Sequence, residues 1–237
     1  MSNELVLILC LIGVYGTVLL WFHLFDEDGL FCFSVFVTIA ANIEVLILID
    51  AFGLEQTLGN ILFAATFLVT DILSEIKNKK TAQKAVNMGM FATVCFILLT
   101  KSWFLYTPSE NDTVFGAITK IFTNTPRVMF SSLIAYFISQ KFDVWAYHKW
   151  WEFTTKKYGD KQKFLWLRNN GSTLISQLIN NIIFTFGSFL FIYDMQTLLN
   201  ISISSYLIFL VTSLVDTPVI YLARYIHNKK RAKLQNI

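Results

Sequence analysis

Two carboxylates, Asp71 and Glu75, interrupt an otherwise apolar stretch of the chain, TFLVTDILSEIKNKK at residues 66–80. A spacing of four residues places both acids on one face of a helix, and Thr70 and Ser74 extend that face. An ionised side chain at the centre of a bilayer costs about 2.5–3.5 kcal/mol to insert, so such residues usually face a protein interior or a water-filled cavity. The pattern indicates acids that bind a solute or hold an inner gate shut. Pairing with the lysines that follow is the structural alternative.

Amides and hydroxyls gather in a second stretch, RNNGSTLISQLINNIIF at residues 168–184. Such a density of polar residues is uncommon in a membrane helix. Hydrogen bonding between helices is the structural interpretation, and recognition of a polar solute is the functional one. A spacing of four sorts the polar residues into two faces, one with Ser172, Ser176 and Asn180 and the other with Thr173, Gln177 and Asn181.

Two further polar residues stand in apolar surroundings. Asn42 is central in its apolar stretch and points about 200° away from Glu44 on a helix, so both cannot line one narrow cavity and Asn42 is the stronger candidate. Arg127 follows Pro126, which suits a first helical turn. Arg127 then lies near the outer membrane surface. There it either reaches into the headgroups or closes a site from outside by pairing with an acid or a polar ligand.

The composition indicates which elements must position these residues. The chain has 237 residues, of which 55% are hydrophobic and 15% charged, and its apolar residues come in long runs. This is typical of an all-α polytopic membrane protein with a single domain, since a helix needs about 20 apolar residues to cross a bilayer. Seven predicted spans lie near residues 4–24, 30–53, 58–76, 84–106, 126–147, 170–193 and 202–227.

The distribution of basic residues predicts the orientation of these spans. Most of the 19 lysines and arginines fall in three regions, 77–84, 141–168 and 224–233, which seven spans place on one side of the membrane. The positive-inside rule makes that side the cytoplasm, with the C-terminus inside and the N-terminus outside the cell inner membrane. The first span lacks a basic leading segment and a cleavage site, which favours a retained helix. Asn78 is expected to close the third span in the left-handed conformation.

Several function classes lack their characteristic residues. The sequence has no phosphate-cradling P-loop, no HExxH zinc motif and no GxSxG nucleophile motif, so it predicts neither an ATPase nor an enzyme. The three cysteines show no metal or redox spacing, and no cofactor or metal is expected. Residues 145–151, WAYHKWW, combine rings with cations. They border a predicted span, so they indicate a lipid interface and no nucleic-acid partner.

The stretch TDILSEIKNKKTAQKAVNMG resembles the signature of the queuosine precursor transporter family, also called the vitamin uptake transporter family. PRVMFSSLIAYFISQKFDVWAYHK, LRNNGSTLISQLINNIIF and a late TP-x-x-Y also resemble it, in order along most of the chain. Two positions depart from the family pattern. Lys77 and Asn78 replace a common Tyr–Gly, and Asn180 stands where many members have aspartate. The second departure puts proton coupling through position 180 in doubt.

The resemblance implies a small carrier of queuine or its 7-deazaguanine precursors, which serve tRNA modification. It also implies a six-helix core resembling the substrate-binding subunits of energy-coupling-factor vitamin importers, to which this chain adds one N-terminal transmembrane helix. A homodimer is expected by analogy alone. The alternatives are a substrate-binding membrane subunit for another vitamin-like solute, energised by separate proteins, and a membrane scaffold without a ligand.

A deazaguanine ligand also fits the chemistry of the candidate residues. Its edge presents two adjacent N–H donors and a carbonyl acceptor, which carboxylates and amides can satisfy. Its flat ring requires an aromatic face. We therefore predict a pocket between the second, third, fifth and sixth spans, with Arg127 as an outer gate. The predicted substrate-binding residues are Asn42, Phe67, Asp71, Glu75, Arg127, Gln177, Asn180 and Asn181.

Overall fold

The computed structural model describes residues 1–123, 126–160 and 163–235. Within these residues the chain forms seven helices and one β-hairpin. The helices are α1 (Asn3–Glu44), α2 (Asn60–Ile76), α3 (Lys79–Trp103), α4 (Phe115–Thr123), α5 (Pro126–Tyr158), α6 (Leu165–Phe189) and α7 (Met195–Gln235), and the hairpin consists of β1 (Leu48–Ala51) and β2 (Leu54–Thr57).

Helix α1 is two helical arms joined at Asp26. The φ of Asp26 is 51°, in a region that a non-glycine residue rarely occupies, and the helical conformation breaks there. The two arms pack against each other. The ring of Trp21 in the first arm contacts the ring of Phe33 in the second, with centroids 5.8 Å apart. Gly29 permits this approach, since a Cβ atom there would collide with the backbone oxygen of Trp21. The two arms correspond to the first two predicted spans.

The second arm ends at Glu44, nine residues before the predicted end of the second span at residue 53. Residues 48–57 instead form the antiparallel hairpin, in which Ala51 pairs with Leu54. Phe52 and Gly53 both have positive φ, as a tight two-residue hairpin turn requires. The hairpin contacts the start of α1, where Glu4 Oε1 accepts a hydrogen bond from the Phe52 amide at 3.1 Å.

Helix α2 is the centre of the bundle and contacts α1, α3, α5 and α7. All its residues from Ala64 to Ser74 are buried. A helix that is buried on every side has no solvent face for its polar residues, so Thr70, Asp71 and Ser74 must meet partners on other helices. This burial is what turns the polar stripe of the sequence into an internal site.

Asn78 does not close α2 in the left-handed conformation, as the sequence suggested. Its φ is −173°, which is extended backbone, and its side-chain oxygen accepts a hydrogen bond from the Thr81 amide at 3.0 Å. Asn78 is therefore the N-cap of α3. The prediction was wrong because α3 begins at Lys79, directly after α2, and the residue between the helices satisfies the second helix's amides.

The two ends of the bundle differ in charge. At one end, called the basic end below, Lys77 pairs with Glu27 at 3.0 Å and Lys230 pairs with Asp26 at 2.7 Å. The opposite end, called the hairpin end, carries β1 and β2. Among the described helices, α1, α3 and α7 are long and apolar enough to cross a membrane by length and composition. Helix α2 packs against all three of these helices, α5 packs against α3, and α6 packs against α7.

Candidate functional site

A cavity lies among the helices toward the hairpin end. Its volume, counted as space for the centres of water molecules, is about 40 Å³. The second arm of α1, α2, α5 and α6 surround it, and α3 and α7 complete the wall. Its polar lining consists of Thr38, Asn42, Asn60, Thr93, Ser132, Asn180, Asn181 and Ser205, and its rings are Phe63, Tyr136, Phe184 and Phe209.

Two of the lining amides are fixed by hydrogen bonds. Asn42 Nδ2 donates to the Thr38 carbonyl at 2.8 Å, and its Oδ1 accepts from Ser132 at 2.9 Å. Asn181 Nδ2 donates to the Ser202 carbonyl at 2.6 Å, and its Oδ1 accepts from Thr185 at 3.1 Å. These bonds hold both amides in one orientation, as a specific recognition surface requires.

Two other lining amides retain unpaired atoms. Among the described residues, neither Asn180 Oδ1 nor Asn60 Nδ2 has a hydrogen-bond partner, although both atoms are buried. Asn60 Oδ1 accepts from Thr57 at 3.2 Å, which aims its nitrogen away from that contact. Leaving a buried polar atom unpaired is costly. The described residues thus offer a polar ligand the free acceptor of Asn180, the free donor of Asn60 and the unpaired hydroxyl of Tyr136, which also lines the cavity.

The rings of the cavity are not those that the sequence predicted. Phe67 is completely buried behind Phe63, with ring centroids 5.6 Å apart, and does not line the cavity. Phe63, one helical turn nearer the hairpin end, presents its ring there and makes edge contacts with Tyr136 at 6.2 Å. Phe63 and Phe67 are one helical turn apart on α2. Which of them reaches the cavity depends on how deeply α2 lies in the bundle, and sequence periodicity does not predict that depth.

Three buried carboxyl groups, Asp71, Asp143 and Asp216, form a layer between the cavity and the basic end, called the acid layer below. Thr173 Oγ1 donates to Asp71 Oδ2 at 2.9 Å, and Ser176 Oγ donates to Asp143 Oδ1 at 2.7 Å. Gln177 lies between this layer and the cavity on α6. Neither atom of its amide has a hydrogen-bond partner in the described residues.

Glu75 belongs to a different cluster, one turn further toward the basic end. Its carboxylate accepts from Arg168 Nη2 at 2.7 and 2.6 Å, from Arg168 Nε at 3.0 Å and from the Tyr147 hydroxyl at 2.8 Å. Arg224 Nη1 adds a contact at 3.3 Å. Glu75, Arg168, Tyr147 and Arg224 join α2, α6, α5 and α7, and we call them the closing cluster. Arginines, and not the neighbouring lysines, are the partners of Glu75.

A histidine borders the closing cluster at the basic end. His148 stacks on Trp151 with ring centroids 5.9 Å apart, and Trp151 lies 4.3 Å from the guanidinium carbon of Arg168. Burial lowers the pKa of His148, and the positive charge of Lys79 lowers it further. His148 and Trp151 thus lie beside Arg168, within the aromatic segment that the sequence assigned to the lipid interface.

Arg127 lies at the hairpin end and does not line the cavity. Its Nε donates to the Gly187 carbonyl and its Nη2 to the Leu190 carbonyl, both at 2.7 Å. Gly187 lies in the last turn of α6 and Leu190 is the C-cap of that helix, where backbone acceptors lack intrahelical partners. In this structure Arg127 fastens the start of α5 to the end of α6.

The structure thus separates the eight predicted residues by depth. The cavity contains Asn42, Asn180 and Asn181, the next layer contains Asp71 and Gln177, and the closing cluster contains Glu75. A polar stripe on α5 was not predicted, although its spacing of three or four residues is visible in the sequence. The stripe consists of Ser132, Tyr136, Gln140, Asp143 and Tyr147.

Comparison with known proteins identifies the family. The family described as "Putative vitamin uptake transporter" matches residues 57–223, from β2 into α7. The chain belongs to this family. The matched residues include both carboxylates of α2, Tyr147 and Arg168 of the closing cluster and most of the cavity lining. Arg224 directly follows the matched residues, and both arms of α1 precede them. This membership, with the apolar helices α1, α3 and α7, makes the chain a membrane protein.

A relative in Bacillus subtilis (strain 168) supports the same assignment. It is described as "Probable queuosine precursor transporter" and is 37% identical over 207 residues, which are 87% of this chain and 88% of the relative. The family resemblance predicted from TDILSE and the α6 motif is confirmed. No solved structure matches the chain.

Proposed function

We propose that this transporter takes up queuine or a 7-deazaguanine queuosine precursor across the cytoplasmic membrane, for use in tRNA modification. The family and the Bacillus relative support the substrate class. The observation that carries the proposal is the cavity, where the unpaired amide atoms of Asn180 and Asn60 lie among aromatic rings. One free acceptor, one free donor and a ring face are what the edge and plane of a guanine-like base require.

In this proposal Asn180 Oδ1 accepts from an N–H group of the base and Asn60 Nδ2 donates to its carbonyl. Asn42 and Asn181 line the cavity with amides already held in place. The present cavity of about 40 Å³ has room for about three water molecules. A bicyclic base needs more space, so binding requires the helices around the cavity to move apart. The structure then represents a compact form that opens on loading.

We further propose that the closing cluster is the cytoplasmic gate. Glu75 is tied to three other helices, and its side chain is only 3% exposed. Solute that enters from the hairpin end cannot reach the basic end until these bonds separate. This assigns Glu75 to the gate and Asp71 to the layer above it. The basic end faces the cytoplasm, with the C-terminus inside and the N-terminus outside.

Several finer properties belong to the same proposal. The chain acts as a secondary carrier or facilitator and not as an enzyme. The second arm of α1 with α2, α3, α5, α6 and α7 forms a six-helix core of the energy-coupling-factor type, and the first arm of α1 is the additional helix. A homodimer is the proposed assembly by analogy with other small carriers.

Ligand-induced stabilisation of the purified protein tests the substrate class. A ligand that binds only the folded state raises the melting temperature, and the stabilisation grows with the logarithm of the ligand concentration relative to Kd. Queuine, two queuosine precursors, guanine and several vitamins are compared. We expect stabilisation by the deazaguanines, and a weakening of their binding by about tenfold or more in Asn180→Ala, since a hydrogen bond in a desolvated site is lost.

The matched control is Asn200→Ala, which removes an exposed asparagine amide from α7 and is expected to bind like the wild type. Stabilisation by a vitamin but by no deazaguanine would favour the alternative of a binding subunit for another solute. Stabilisation by none of these compounds would contradict the proposed function.

A further inference from the structure

The acid layer contains two carboxyl groups that face each other. Asp71 on α2 and Asp143 on α5 approach through their carboxyl groups, and both side chains are completely buried. One oxygen of each is anchored by a hydroxyl of α6. The other two oxygens, Asp71 Oδ1 and Asp143 Oδ2, have no hydrogen-bond partner in the described part of the chain. We call these two residues the carboxyl pair.

The titratable groups nearest the carboxyl pair are mainly acidic side chains and tyrosine hydroxyls. Asp216 on α7 is close enough to interact electrostatically with both members of the pair. Both of its carboxyl oxygens are buried and have no hydrogen-bond partner within the described residues. Tyr15 on α1 directs a buried, unpaired hydroxyl toward Asp216. On the side of the basic end the neighbours are Tyr147 and the Glu75 carboxylate, with Arg168 and Arg224 bound to Glu75.

Elementary electrostatics indicates which ligand this arrangement takes. Two ionised carboxylates that face each other away from water repel strongly, and each retains an acceptor without a donor. One bound proton removes the repulsion and supplies the missing O–H donor between the free oxygens. A metal ion fits less well, because no group of three or more His, Cys, Asp or Glu side chains in the described residues is placed to hold one.

Helix α6 connects the carboxyl pair to the cavity. Ser176, which anchors Asp143, is one turn from Asn180, whose free oxygen faces the cavity. Thr173, which anchors Asp71, is one turn from Gln177 and two turns from Asn181. A displacement of α6 that admits a base therefore also shifts both hydroxyl anchors. Loading of the cavity and proton affinity at the pair are coupled through one rigid element.

We propose that Asp71 and Asp143 hold one exchangeable proton between them, and that one proton enters the cell with each solute molecule. The inference rests on the proposed function, because it supplies the energy for that uptake. One proton binds from the outer side as the pair faces the hairpin end, and the same proton leaves when the closing cluster opens.

Reconstituted vesicles test the coupling with a neutral 7-deazaguanine precursor at zero membrane potential. With an inward gradient of one pH unit, one proton per solute supports up to about tenfold accumulation. We expect the wild type to accumulate the precursor and to acidify the vesicle interior in step, as a trapped pH-sensitive dye reports. Asp143→Asn is expected to lose gradient-driven accumulation while it still exchanges labelled for unlabelled precursor. The matched control, Asp28→Asn, changes an exposed acid and should behave like the wild type.

The outcomes separate this inference from the proposed function. A wild type that exchanges the precursor but ignores the pH gradient, or responds to a sodium gradient in its place, overturns proton coupling and leaves the substrate assignment intact. A wild type that neither binds nor exchanges the precursor overturns both. The dye measurement on the wild type tests proton coupling even if Asp143→Asn does not fold, because uptake without acidification also contradicts the inference.

Discussion

Asp71 and Glu75 illustrate how two residues on one helix face acquire different environments. Four residues of helix correspond to about 6 Å along its axis. At that separation Asp71 meets hydroxyls of α6 and another carboxyl group, whereas Glu75 meets two guanidinium groups. The shared face could be predicted from the spacing. The partners could not, since Arg168 and Arg224 are 93 and 149 residues away in the chain.

Glu75→Gln is expected to destabilise the protein by about 3–5 kcal/mol, because it leaves the completely buried Arg168 guanidinium without its counter-charge. The free energy of unfolding in detergent measures this effect. Glu152→Gln is the matched control. It removes an exposed carboxylate paired with Lys149 and should cost less than about 1 kcal/mol. Equal effects of the two substitutions would contradict the structural role assigned to the closing cluster.

At the scale of elements, the sequence predicted most helices but not their ends. The spacing of four residues sorted the amides and hydroxyls of α6 onto two faces, and the structure buries both sets inside the bundle. The hairpin was missed because LILIDAFG continues the apolar run of α1, and a short apolar run does not distinguish a helix end from a strand. Phe52–Gly53 is also a weaker turn signal than Asn–Gly. Position 26, where α1 breaks, is an aspartate and neither proline nor glycine, so the residue type there did not signal the break.

The packing of the two α1 arms gives a test at this scale. Gly29→Ala is expected to lower the free energy of unfolding by about 1–3 kcal/mol, because the added methyl group collides with the Trp21 backbone. Gly13→Ala is a matched control on the same helix, since a Cβ atom there meets no neighbour. It should be neutral or stabilise by up to about 1 kcal/mol through helix propensity. Melting curves of both variants decide, and a Gly29→Ala protein as stable as Gly13→Ala would refute the close approach.

At the scale of the whole molecule, the cavity and the closing cluster lie toward opposite ends of the bundle. The cavity is near the hairpin end, and buried ion pairs close the basic end. The basic regions that predicted the cytoplasmic side meet at one end, where Lys77 and Lys230 bind acids next to the α1 break. Charge distribution alone could thus predict which helix ends lie together. It could not predict that a cavity and a seal divide the interior.

Cysteine labelling in intact cells tests the proposed orientation. In a variant without the three native cysteines, Ser109→Cys in the connection between α3 and α4 should react with a membrane-impermeant maleimide. Asn228→Cys near the end of α7 should react only after lysis, because the proposed orientation places the basic end in the cytoplasm. Both positions are exposed, so each is the control for the other. The reverse labelling pattern would invert the assignment of the gate.

The shortness of α2 has a consequence for the length of the solute path. Its 17 residues extend about 25 Å, less than the roughly 30 Å thickness of a bilayer's hydrocarbon region. The hairpin that precedes α2 pairs only the facing backbone groups of its two strands, so the groups on the outer edges require water or lipid headgroups, which places the hairpin at the membrane surface. A solute path along α2 is therefore expected to be shorter than the hydrocarbon thickness of the bilayer. Transport should respond to acyl-chain length, with thick bilayers stretching this region and slowing turnover.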